Sequence, residues 1–65
     1  MSYYDYSVSR ELESRDYPFY ALIMAAMRRA DSFNLVQLKE AFPNVWKEMM
    51  ERYNLPGGKY KGEEE

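Results

Sequence analysis

Sixty-five residues, with no Cys and no His and a net charge of −2, bound the chain to one small domain and remove several functions at once. Without thiols there is neither a disulfide nor a thiolate metal site, and without imidazole the commonest transition-metal ligand and neutral-pH proton carrier is missing. The near-balanced charge lacks the basic excess that a strong electrostatic grip on nucleic acid requires.

A chain of this size buries only about 60 % of the surface its unfolded form exposes, so its stability is marginal unless something staples it. Composition nevertheless argues against wholesale disorder: 46 % of residues are hydrophobic and 17 % aromatic, with seven Tyr. Tyr joins an apolar ring to a polar tip and suits interfaces as well as small cores.

Residues 1–15 read as a polar, Tyr-rich arm holding Tyr3, Tyr4, Tyr6, Val8 and Leu12. Ser9 could cap a single turn over Arg10–Ser14, and nothing longer is expected, because short isolated helices are marginal in water. The helical domain is expected over residues 16–55, as a compact all-α bundle of three short helices. The first, at about 17–30, starts near Pro18 with Asp16 as N-cap. Its stripe Phe19, Leu22, Ile23, Ala26 and Met27 has helical spacing, and Tyr20 and Met24 lie on a second flank. Apolar over most of its girth, this helix must be central or must touch something else. Arg28 and Arg29 close it, where cations suit the helix dipole.

Asp31 or Ser32 restarts the chain, and the second helix spans about 32–42 with Leu35, Leu38 and Phe42 inward and Val36 beside them. Pro43 ends it and fits the first turn of the third, 43–53, making the joint a corner. Val45, Trp46, Met49, Met50 and Tyr53 form the apolar stripe there, and Glu48 and Arg52 make a favourable i, i+4 pair. Asn54 suits a left-handed C-cap before Pro56, and residues 56–65 form a short charged tail. The core is expected around Leu22, Ile23, Leu35, Leu38, Phe42 and Trp46.

No constellation reads as catalytic: each Ser lacks a His partner, and Glu40, Glu48 and Glu51 read as solvated helix faces. Gly57-Gly58-Lys59 lacks the spacing of a phosphate loop, and no cofactor or metal is expected. Arg28, Arg29 and Lys39 are the candidate nucleic-acid contacts, though a helix-turn-helix would need a turn where the chain has Phe42-Pro43. Candidate partner-binding residues are Tyr3, Tyr4, Tyr6, Tyr20, Met24 and Met50. Buried Tyr carries much interface energy, and flexible Met adapts to partner surfaces. The longest apolar run, Pro18 to Met27, is too short to span a bilayer, and the N-terminus lacks signal-peptide features, so a cytoplasmic location is the expectation.

The string Phe19-Tyr-Ala-Leu-Ile-Met-Ala-Ala-Met-Arg28, then Ala30-Asp31-Ser32, Phe42-Pro43-Asn-Val-Trp46 and Arg52-Tyr53-Asn54-Leu-Pro56-Gly57-Gly58, resembles small uncharacterised proteins of bacterial phages and mobile elements over about residues 17–58. The resemblance brings no site residues. It implies a context in which small proteins bind and block a host machine, as anti-CRISPR and other anti-defence inhibitors do. The leading expectation is thus a non-enzymatic protein-binding module. The alternatives are a small nucleic-acid-associated regulator and a self-assembling homo-oligomer with a structural role.

Overall fold

The computed structural model describes residues 1–63, and those residues are all-helical. Four α-helices follow one another: α1 (Tyr3–Ser14), α2 (Phe19–Arg29), α3 (Ser32–Ala41) and α4 (Pro43–Tyr53), with a short 3-10 turn at Pro56–Gly58.

The first difference from expectation is α1. Residues expected to be an arm with one turn near Ser9 form a twelve-residue helix. The cause is a capping box at its start. Ser2 Oγ accepts from the Asp5 backbone N–H at 3.2 Å, and Asp5 Oδ2 accepts from the Ser2 backbone N–H at 2.9 Å. Two of the four orphan donors of a helix N-terminus are satisfied reciprocally, and the Asp5 charge sits where the helix dipole favours it. Ser9 caps nothing; inside the helix, its hydroxyl donates to the Tyr6 carbonyl at 2.6 Å. Asp16 is likewise not the N-cap of α2. It takes a left-handed conformation, φ +56°, in the turn after α1, and Pro18 precedes the first residue of α2 without a side-chain cap. Asp tolerates that region better than most side chains, so a sharp reversal forms without Gly.

Further along, expectation and structure agree more closely. Asp31 caps α3 by accepting from the Asn34 N–H at 2.8 Å. Phe42 alone ends α3 and starts α4, with Pro43 in the first turn. The positive-φ residues after α4 are Gly57, Gly58 and Gly62; Asn54 keeps a negative φ, and its Nδ2 donates to the Met50 carbonyl at 3.0 Å.

The fold is organised on α4: α2, α3 and the 3-10 turn all pack on it, and α1 joins none of those contacts. The core is narrower than expected. Met27 and Met49 alone are buried among the described residues, at 2 % and 6 % exposure. Leu22, Ile23, Leu35, Leu38, Phe42 and Trp46 surround them half-buried. Unbranched, polarizable Met side chains fill the irregular gap between α2 and α4 that three short helices leave. The shape is extended, 42 × 28 × 16 Å, with a radius of gyration of 13.9 Å; a compact domain of this length would have about 11 Å. Accessible surface is 5902 Å², where a compact monomer of this mass would expose about 4,400 Å².

Candidate functional site

Among the described residues, three clefts and several outward-facing aromatic groups stand out, and the candidate residues fall in or beside them.

The expected partner-binding residues separate into three places. Tyr3, Tyr4 and Tyr6 stand on the first turns of α1 and are 60–79 % exposed, with the Tyr3 and Tyr6 rings 6.4 Å apart. Tyr20 and Met24, one turn apart on α2, meet across a cleft of about 260 Å³ closed on the α4 side by Asn44, Val45 and Glu48. Tyr20 continues into an aromatic cluster. Its ring lies edge-on to Phe19 at 5.2 Å, and Phe19 lies edge-on to Phe42 at 6.1 Å. Such tilted pairs suit the quadrupoles of the rings and hold them in fixed relative orientation. Met50 lies elsewhere, in a cleft of about 560 Å³ with Met27, Met49, Trp46, Arg28 and Arg52.

The expected basic group does not assemble on one surface. Arg28 lines the Met50 cleft and Arg29 lines the opposite cleft between α1 and α2. Lys39 places its ammonium 4.7 Å over the Trp46 ring, a cation–π contact within the protein. Of the other bases on these helices, Arg52 is committed to internal carboxylates.

That commitment is the feature sequence reasoning missed. The C-terminal segment, expected to be a charged tail, folds back on α4 around Arg52. The guanidinium donates from Nε to Glu48 at 2.8 Å, from Nη1 to the Gly58 carbonyl at 2.9 Å, and from both Nη atoms to Glu63 at 2.7 and 2.9 Å. Its plane also lies 4.4 Å from the Tyr60 ring centre. Tyr60 donates its hydroxyl to Glu51 at 2.6 Å and its backbone N–H to Glu63 at 2.8 Å. The paired, forked geometry is what guanidinium offers carboxylate and ammonium does not. The Glu48–Arg52 spacing announced one bond, whereas Glu63 lies eleven residues on and no local spacing rule reaches it.

Electrostatics follow the bonds. Hydrogen bonds from Arg52, then from the Tyr60 N–H, pull the Glu63 carboxyl from 4.5 down to about 2. The bond to Glu51, with partial burial behind it, pushes the Tyr60 hydroxyl from 10.0 up to about 12. Bonding to Glu63 and Glu48 raises the Arg52 guanidinium further above its already high range. These groups are mutually satisfied, so the cluster reads as a structural clasp.

The third cleft, about 710 Å³, opens between α1 and α2. It is lined mainly by apolar atoms of Leu12, Tyr17, Ala21, Leu22, Ala25 and Ala26, with Glu13, Asp16 and Arg29 on its edge. Among the described residues no three acidic side chains converge as metal ligands would, and no helix is long and apolar enough to cross a membrane. No protein-family model, no curated protein and no solved structure matches the chain.

Proposed function

We propose that this chain is a non-enzymatic protein-binding module that acts by occupying a partner's surface, in a cytoplasmic setting. The observation that carries the reading is the Tyr20–Met24 groove with its aromatic neighbours. Phe19 and Tyr20 remain 58 % and 57 % exposed beside that groove. Rigid aromatic rings beside a flexible Met combine low ordering cost with adaptable packing, the composition of binding hot spots. The outward tyrosines of α1 add a second aromatic contact at the far end of the molecule.

The resemblance to small phage proteins makes a bacterial defence protein the first partner to assay, with inhibition by steric blocking as the mode. A photo-crosslinking aromatic residue placed at position 20 gives discrete adducts in bacterial lysate, while the same group at Lys47 or Lys59 gives none. Absence of position-20 adducts together with unchanged migration of every assayed partner overturns the reading. A mobility-shift series reads the nucleic-acid alternative in parallel. Binding whose affinity falls steeply with salt would replace protein by phosphate as the partner.

A further inference from the structure

We propose that the cleft between α1 and α2 is the seat of α1 from a second copy of this chain, so that two α1–α2 hairpins interlock about a twofold axis. The proposal uses the face of α2 opposite the Tyr20–Met24 groove and stands whether or not that groove binds a foreign protein.

The argument begins with α2. At about 100° per residue, Ile23 and Met27 point one way, toward α4, while Ala21, Leu22, Ala25 and Ala26 point the other way, at i, i+1, i+4 and i+5. The first face holds the buried Met27. The second is equally apolar, yet it borders the open cleft, and all three of its alanines are exposed. Small side chains there let another helix approach to the short end of the usual 8–10 Å interaxial range.

The second strand of the argument is α1 itself. Twelve residues are about the length at which isolated helices are only marginally stable in water. A capping box helps its first turn, but α1 makes no helix–helix contact on the scale of those that α2 and α3 make with α4. Its Leu12 is 40 % exposed, and Val8, one turn back, is half-buried. The apolar edge of α1 thus forms one wall of the cleft and the alanines of α2 the other, with the space between the two walls open.

Area selects the occupant. The chain exposes roughly 1,500 Å² more than a compact monomer of its mass, and a standard protein interface takes about 800 Å² from each partner. Interlocking hairpins would bury the cleft faces of α1 and α2 on both copies and so remove part of this excess. A twofold contact must be self-complementary. The cleft edge meets that condition, with Glu13 and Asp16 beside Arg29, so each copy presents both signs to the other.

The absence of Cys makes the test clean. Light scattering on the full chain gives about twice 7.8 kDa, falling to monomer mass in Ala25→Glu with the fluorescence of Trp46, the single Trp, unchanged. Mixing Ser9→Cys chains with Ala25→Cys chains under mild oxidation gives the mixed cross-linked dimer, which decides the matter even if Ala25→Glu misfolds. A strict monomer at high concentration overturns the proposal, as does a dimer untouched by Ala25→Glu. Cross-links that form only within a doubly substituted chain show α1 closing on its own α2 and also overturn it. So does a cleft that is protected only when a different protein is added.

Discussion

The two ends of this molecule start from similar material and reach opposite states. Both pair tyrosines with acidic and basic residues beside a helix. At the C-terminal end one half-buried Arg52 binds Glu48, Gly58, Tyr60 and Glu63 and ties twelve residues of chain into a clasp. At the N-terminal end α1 has Arg10, Glu11 and Glu13, with Arg15 as its C-cap, but the side-chain hydrogen bonds of Ser2, Ser9 and Ser14 stay within the helix and its cap. The difference lies in reach. A Gly-Gly turn returns the C-terminal segment over α4, while α1 makes no contact with α4 on the scale of those of α2 and α3. Order in so small a protein thus depends on which end meets a packed helix.

The largest effect is expected from Met27→Ala, which opens a cavity at the shared anchor of α2 and α4; the cost is about 2–5 kcal/mol, read as a collapse of the global transition in denaturant. Arg52→Ala comes next. It releases the segment after α4 and lowers the melting temperature by several degrees, whereas Arg10→Ala leaves it in place; equal effects would erase the distinction between the ends. Ser2→Ala removes the cap of α1 at about 1 kcal/mol, seen as faster amide exchange in residues 3–14 with the melting temperature of the rest unchanged.

The smallest effect is the pH dependence of the clasp. Glu63 has a folded-state pKa below its ordinary 4.5, so its contribution is complete above about 4.5 and is lost as pH falls through about 2. Tyr60 is shifted the other way. Its contribution is complete below 10 and is lost as pH rises through about 12. The NMR shifts of residues 58–63 should therefore hold constant between those limits, and the late tyrosinate step should vanish in Tyr60→Phe.

What the sequence made legible was local. Asp31 as a cap, Pro43 as a corner, the Glu48–Arg52 pair and the apolar girth of α2 all depend on spacings of four residues or fewer, and each is present. Ser2-x-x-Asp5 belongs to the same class: its capping box starts a helix in a segment whose polar, Tyr-rich composition otherwise reads as an arm. The reach of Glu63 and Tyr60 back to α4, and the shift of the core to Met27 and Met49, depend on how three helices meet. No periodicity encodes that. The candidate surface was legible in composition, as too many Tyr and Met for one small core, but its division into an aromatic groove and an Ala-lined cleft required the fold.

Residue-resolved hydrogen exchange at two protein concentrations separates a self-contained α1 from one that is held by a second copy. The amides of α4 should show the same strong protection at both, while those of α1 should be weakly protected in dilute solution and gain protection as concentration rises and the second copy fills the cleft. Strong, concentration-independent protection of α1, equal to that of α4, would show that α1 is held by its own chain and that no second copy fills the cleft.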